Sequence, residues 1–294
     1  MRIAHIITRL ILGGAQENTL LNCQDLLRDY GDEVLLISGP AHGPEGSLEE
    51  DARVRGIPLQ LVPALRRAIH PTRDAASYLA IRRALADFQP EVVHTHCGKA
   101  GLLGRLAAWR LRAPAIVHTV HGAPFHPYQS APAREFFRRC EIYTSARCHA
   151  IISVADAMTD QLVAAGVAPR EKFTTIYSGM EVEPFLESGV HRDRVRRELG
   201  YAESDVVVGN IGRLFHLKGH ADLITAAHDA SRTHPHLKFL LIGDGILRGQ
   251  IEAQIAAAGL ADRFQFTGLV PPSRIPELLA ATDLVVHTSL REGL

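Results

Sequence analysis

GNIGRLFHLKGH, residues 209–220, is the stretch on which the reading of this chain turns. An apolar run from Val206 to Ile211 ends in Gly212, Arg213 follows, and five residues later Lys218 heads a helical pattern. That is a strand, a tight turn and a helix start. Such a junction gathers unpaired backbone N–H groups, the positive end of a helix dipole and two side-chain cations at one point, which suits a diphosphate. Taken alone, Arg213 and Lys218 are more simply two surface cations flanking an ordinary strand-to-helix turn. The rest of the chain shifts that balance.

Downstream the alternation continues: helix 218–233, strand 238–242, helix 246–258, strand 264–267, helix 274–280 and strand 284–288. Upstream, β-rich runs at 3–8, 33–38, 92–95, 116–120, 149–153 and 173–177 are separated by amphipathic helical segments. Short apolar strands covered by helices on both faces require a parallel, doubly wound sheet. One internal helix is marked by a capping box, Ser47 with Glu50, and is closed by Gly56 ahead of Pro58. Residues 178–189 carry Gly179, Pro184 and Gly189 with little periodicity, and an Arg-rich helical piece follows at 192–199. The expected organisation is an N-terminal domain over 1–183, a linker over 184–203 and a C-terminal domain over 204–294. The last residues, Arg291 to Leu294, lie just past a strand's carboxyl end. A four-stranded second sheet without a closing helix leaves an edge uncovered, so the expectation is a C-terminally truncated chain rather than a small domain completed by a partner.

At 294 residues, 46% hydrophobic and 22% charged, the chain has material for two cores. Thirty-two Lys plus Arg balance thirty-two Asp plus Glu, which gives no reason to expect a nucleic-acid partner. The four cysteines show no metal or disulfide spacing and suit a reducing cytoplasm. There is no signal-peptide pattern after Met1-Arg2 and no apolar run of spanning length.

Ligands of open parallel sheets bind at the carboxyl ends of the strands. There the sequence places Gly13-Gly14, His96-Cys97-Gly98-Lys99, His121-Gly122, Gly212-Arg213, Gly243-Asp244-Gly245, Gly268 and Glu292-Gly293-Leu294. The expectation is two glycine-lined rims facing each other across a cleft. A nicotinamide dehydrogenase is disfavoured, because Gly13-Gly14 lacks the GxGxxG spacing and the second strand ends Ile37-Ser38-Gly39-Pro40 without a ribose-binding carboxylate. Zinc is suggested by His94, His96, His118, His121 and His126, but no HExxH exists and hydrogen bonding in core or cleft is the simpler use.

The motifs GGAQ, VVHTHCGKAGLLGRLAA, VHTVHG, ISVADAM, IYSGME, GRLFHLKGH, LIGDGILR, FTGLV and HTSLREGL follow one another in order from end to end. Together they resemble a family 4 glycosyltransferase of the GT-B architecture, in which two Rossmann-like domains enclose a nucleotide-sugar cleft. The resemblance implies that Arg213 and Lys218 grip the donor diphosphate and that Glu292 holds sugar hydroxyls. A second glutamate, expected near position 300, lies beyond the chain. It further implies that His121 faces the donor sugar and phosphate and that Gly13 and Gly14 line the cleft beside the diphosphate. The loop 243–245, the segment 266–268, Gly212 and the terminal Gly293 and Leu294 would border the donor. Transfer would proceed with retention, the leaving phosphate accepting the acceptor's proton.

A departing diphosphate needs cationic stabilisation. No DxD motif is present, and two cations at a helix N-terminus can do the same electrostatic work, so no metal and no cofactor is expected. Arg66, Arg67, Arg73, Arg82, Arg83, Arg105, Arg110, Arg112, Arg134, Arg138 and Arg139 are interleaved with apolar residues. They suggest contact with an anionic membrane surface at the inner face, or with a lipid-linked or cell-envelope glycan acceptor, beside the simpler reading as a solvated helix face. A non-catalytic nucleotide-sugar-binding or interaction module is the alternative, and turnover of a labelled nucleotide sugar separates the two.

Overall fold

The computed structural model describes residues 1–43 and 45–293. They fall into two compact units. The first holds Met1–His42, Ser47–Met180 and Gly293; the second holds Glu181–Glu292 together with Gly43, Glu45 and Gly46.

In the first unit the order is β1 (Arg2–Ile7), α1 (Gly14–Arg28), β2 (Glu33–Ser38), α2 (Glu49–Val54), β3 (Leu59–Leu61), α3 (Pro71–Phe88), β4 (Val92–His96), α4 (Gly98–Arg110), β5 (Ala115–Val120), α5 (Ala131–Ser145), β6 (Ala150–Ser153), α6 (Asp156–Ala164) and β7 (Phe173–Thr175). Seven parallel strands lie in the order β3-β2-β1-β4-β5-β6-β7. Strand residues alternate between the faces. Ala4, Ile6, Val93, Ile116 and Ile151 pack on Ile81, Leu85, Ala100 and Ala107 from α3 and α4. Ile7, Val34 and Leu36 pack on Leu20, Cys23 and Ala52 from α1 and α2. That two-sided cover is the doubly wound arrangement expected from the unalternating apolar strands.

The second unit continues with α7 (Glu183–Leu186), α8 (Arg192–Glu198), β8 (Val206–Ile211), α9 (His220–Ser231), β9 (Leu237–Ile242), α10 (Arg248–Ala257), β10 (Phe264–Gly268), α11 (Ile275–Ala280) and β11 (Leu284–Val285). Its four parallel strands run β10-β9-β8-β11. Leu223, Ile224, Phe239, Leu241, Ile251 and Ile255 fill one side, and Val195, Val207, Leu240, Ile242 and Leu278 the other.

Four expectations change. The helix expected at 192–199 forms as α8, but the stretch 184–203 packs within the second unit and is not a linker: Val195 is fully buried, and Arg196 Nη2 donates to the Ala202 and Asp205 carbonyls at 2.9 and 2.6 Å. No side-chain pattern displays such carbonyl partners, which belong to distant or local backbone. The Ser47–Glu50 capping box does not form. Ser47 Oγ accepts from the Glu49 N–H at 3.1 Å, while Glu50 pairs with Arg53. Gly56, at φ 71°, does end that segment. The strand expected at 284–288 is only two residues long, with Leu284 and Val285 each 59% exposed. Helix α9 starts at His220, so Lys218 lies in the turn before it. Strand β3 was not anticipated; three residues after Pro58 are too few to show a period.

All four cysteines are free thiols. Among the described residues no helix is long and apolar enough to cross a membrane.

Candidate functional site

The second unit shows why the 209–220 stretch has its glycines. After β8 the chain passes Gly212 at φ 156°, and Leu214, 1% exposed, is held by backbone bonds to the next strand's loop. Its N–H donates to the Asp244 carbonyl and its carbonyl accepts from Leu247 N–H, both at 3.0 Å. The two loops touch backbone to backbone. A Cβ on Gly243 would stand 2.2 Å from the Gly212 carbonyl oxygen, and one on Gly245 would stand 2.3 Å from that of Leu214. The glycines read from sequence as room for a ligand are thus required first by the contact between these loops.

Lys218 is seated between two left-handed residues, Leu217 at φ 67° and Gly219 at φ 66°. The segment after β11 straps this turn: Leu290 N–H donates to the Leu217 carbonyl at 2.9 Å, and Thr288 Oγ1 donates to the Lys218 carbonyl at 3.1 Å. Here the structure brings together two residues far apart in sequence, since Lys218 Nζ meets Glu292 Oε1 at 2.5 Å and His287 Nε2 lies 2.9 Å from the same oxygen. Burial would raise the Glu292 pKa. Hydrogen bonds from Lys218 and Ser289, and the Lys218 charge, outweigh it and hold the carboxylate below its usual range. Arg213 stands 3.7 Å from Glu45 Oε1 and lies against the Phe215 ring. Asp244 accepts from Gly245 N–H at 2.8 Å and from Arg248 Nη1 at 3.2 Å, and Gly268, at φ 70°, faces that pair.

In the first unit Gly13 caps α1, its carbonyl accepting from the N–H groups of Gln16 and Glu17 at 3.0 Å. A Cβ on Gly14 would meet no atom within 4 Å. His121 follows β5, and Gly293 lies so close that a Cβ there would be 1.9 Å from the His121 carbonyl oxygen. Leu294 is outside the described residues.

The histidines divide by sheet face. Register pairs His5 with His94 and His96 with Thr119, placing His5, His94 and His96 on the α1 side; His118 pairs with Thr95 on the α4 side. His5 Nδ1 and His96 Nε2 are 3.0 Å apart, His96 Nδ1 and His121 Nε2 are 3.1 Å apart, and His94 Nε2 bonds Thr119 Oγ1 at 2.7 Å. Burial lowers His5 and His121 to about 4. Burial, then the neighbouring rings, pushes His94 and His96 well below the ordinary value. All four are neutral at pH 7. Among the described residues the one group with metal-ligand spacing is His5, His94 and His96, whose ring nitrogens lie within 4.8 Å of one another. Most of those nitrogens already bond one another, Thr119 or His121. His118 sits near a buried ion pair, Arg105 Nη2 to Glu141 Oε2 at 2.8 Å. Arg105, read above among surface arginines, is fully buried, because Glu141 one helix away neutralises it.

Sequence reasoning missed His5, His287 and Thr288. His5 falls in period two with Ile3 and Ile7, so its face was legible but not its neighbours.

Residues 14–179 match the model of the glycosyl transferase 4-like domain, and residues 191–294 that of glycosyl transferases group 1. The chain is 27% identical over 297 residues to the UDP-Gal:alpha-D-GlcNAc-diphosphoundecaprenol alpha-1,3-galactosyltransferase of Escherichia coli, covering 100% of this chain and 75% of that one. It is 29% identical to the 2-deoxystreptamine N-acetyl-D-glucosaminyltransferase of Streptomyces fradiae, over 70% of this chain and 51% of the relative. Among solved structures, Anabaena HepE in complex with UDP and glucose superposes with a TM-score of 0.80 at 24% identity, covering 100% of this chain and 76% of HepE. Sucrose-phosphate synthase from Thermosynechococcus elongatus gives 0.77 at 18% identity, covering 100% and 77%. With more than half its length in the first of these domains and most of the remainder in the second, the chain belongs to the family 4-like glycosyltransferases of the GT-B fold.

Proposed function

We propose that the chain transfers a hexosyl group from a nucleotide-diphosphate sugar to a lipid-linked or cell-envelope glycan acceptor, with retention and without a metal. The observation that carries this is the Lys218 turn. A cation is held by two left-handed residues at the start of α9 and already pairs with a carboxylate, Glu292, so the turn is built to present a charge to an anion. Arg213 and Lys218 hold the diphosphate, Gly212 and the 243–245 loop admit it, and Glu292 turns to the sugar hydroxyls. His121 and the open N-terminus of α1 at Gly13 and Gly14 serve the donor from the first unit. Asp244, Gly268 and Gly293 border it. The bond from the anomeric carbon to the phosphate oxygen breaks, the acceptor oxygen bonds that carbon, and the acceptor's proton passes to the departing phosphate. Arg213 and Lys218 stabilise the charge that develops there.

UDP as the nucleotide of the donor is supported by HepE, which was solved with UDP and glucose. A polyprenyl-diphosphate-linked acceptor is supported by the Escherichia coli relative, which transfers galactose to GlcNAc-diphosphoundecaprenol. Trp109, 44% exposed with the Arg110 and Arg147 guanidinium groups against its ring, is an apolar and cationic contact of the kind a membrane surface takes. The test is transfer from labelled UDP-hexoses to polyprenyl-diphosphate-linked sugars. Arg213→Ala and Lys218→Ala should each lower turnover by roughly 10²–10³ with little change in melting temperature. Wild-type turnover in both variants refutes the diphosphate grip, and donor binding without any turnover favours a binding module.

A further inference from the structure

The rings of His5, His96 and His121 form a single file along one face of the first unit's sheet, from β1 across β4 to the end of β5. His5 is wholly buried on β1, His96 wholly buried at the end of β4, and His121 lies just past β5. The contacts are His5 Nδ1 to His96 Nε2 at 3.0 Å and His96 Nδ1 to His121 Nε2 at 3.1 Å. A neutral imidazole has one N–H and one bare nitrogen. Both nitrogens of His96 are engaged, so one donates and the other accepts, and the two bonds must run in the same direction.

Two directions exist. If the protons point towards His121, then His5 Nδ1–H donates to His96 Nε2 and His96 Nδ1–H donates to His121 Nε2. His121 must then carry its own proton on Nδ1. If they point away, His121 Nε2–H donates inward and the last proton resides on His5 Nε2. That atom is buried and has no hydrogen-bond partner among the described residues. A buried N–H without an acceptor is among the rarest defects of folded proteins, while an under-used acceptor is tolerated more often. The far end of the file therefore selects the direction.

We infer that His5 and His96 are positioning residues that lock His121 as the Nδ1–H tautomer, making it a neutral hydrogen-bond donor towards the substrate side. A free histidine side chain favours the Nε2–H form, so the file holds His121 in the less common one. The consequence rests on the donor-facing role proposed above for His121. A neutral Nδ1–H can bind a sugar hydroxyl or a phosphate oxygen without bringing a titrating charge to the site, and a bare Nδ1 would repel the phosphate oxygen instead. Burial, which keeps all three rings uncharged at pH 7, is what makes the direction of the file matter.

The test is nitrogen NMR of the full chain labelled with 15N-histidine, which distinguishes protonated from bare ring nitrogens. In the wild type His121 should show a protonated Nδ1 and a bare Nε2. His96→Phe removes both links and should return His121 to Nε2–H. His96→Asn, whose amide nitrogen replaces Nδ1 as a donor, should keep Nδ1–H. A bare Nδ1 on wild-type His121 overturns the inference without any variant, and so does an unchanged tautomer in His96→Phe. In parallel, His96→Phe should lower kcat roughly tenfold or more with KM little changed, and His96→Asn should restore most of it. The expected tautomers with an unchanged kcat would uphold the file and remove His121 from the proposed reaction.

Discussion

Arg105→Met should cost the first unit about 3–5 kcal/mol. Arg105 has no exposed side-chain surface and Glu141 has 5%, and their atoms meet at 2.8 Å. At an effective dielectric of about 20, that separation corresponds to a gross attraction of about 6 kcal/mol, part of which offsets the desolvation of both ions. Removing the guanidinium leaves the carboxylate buried. The nearest alternative partner among the described residues is His118, 4.0 Å away, whose burial still disfavours its charged form once Arg105 is gone. Arg105 also gives Nε–H to the Gly101 carbonyl at 2.8 Å, so α4 loses a local tie as well. For a unit of this size each kcal/mol is worth about 2–4 °C, so the melting temperature should fall by about 6–20 °C. Glu141→Leu alone should fall comparably. The double variant Arg105→Met with Glu141→Leu, apolar and of similar volume, should return to within about 1 kcal/mol of wild type. Denaturant melts of the four proteins close the cycle. Additive losses in the double variant, or a loss below about 1 kcal/mol in either single variant, would refute the claim that an uncompensated buried charge is what each single substitution creates.

Gly219→Ala should destabilise the second unit by about 2–5 kcal/mol, summing the left-handed backbone of a non-glycine residue and an overpacked contact. A Cβ there falls 1.9 Å from the Thr288 carbonyl, and urea midpoints would measure the loss. Gly249→Ala, in α10 with no atom within 4 Å of the new Cβ, is the matched control and should stabilise by up to about 1 kcal/mol. Stability should fall as the pH drops from 6.5 to about 4. Unfolded His5 and His121 take up a proton near 6.5 while the folded rings wait until about 4, so the unfolded state binds more protons in that window. Denaturant midpoints across that range should show the slope, and His5→Phe should flatten it. Transfer should continue at an undiminished rate in EDTA; a rate lost there and restored by a divalent cation would contradict the two-cation mechanism.

Most of the fold could be read from the chain because its strands are short, apolar and unalternating, and parallel pairing is the arrangement that buries both faces of such strands. What escaped depends on contacts no local pattern carries. Residues 184–203 look like a connection because Pro184 and Gly189 interrupt the alternation of strands and helices. Yet Arg192 and Arg196 both reach the carbonyls ending α11, and Asp283 completes their coordination from nearly ninety residues away. Strand 284–288 looked longer because its apolar run continues, but the ladder with β8 holds Leu284 and Val285, and Val286 adds a last bond to the Gly209 carbonyl before the chain turns away.

The candidate site divides along the same line. Gly243 and Gly245 were legible as positions where a side chain is not tolerated, since glycine at strand ends is a strong local signal. The identity of what approaches them was not, and it is the neighbouring loop's own backbone. Lys218 and Glu292 were singled out for separate tasks, diphosphate and sugar, yet they share a 2.5 Å contact. That contact restricts the proposed mechanism. If Lys218 is to hold a diphosphate, the anion must displace or share Glu292, so the carboxylate is released towards the sugar only when the phosphate has arrived. Glu292→Gln therefore separates the two tasks. It should leave Lys218 freer and tighten binding of the nucleoside diphosphate alone, while weakening discrimination between donor sugars. Titration of the diphosphate and of two epimeric donors would check this. Weaker diphosphate binding in the variant would mean that Glu292 organises Lys218 instead of competing for it.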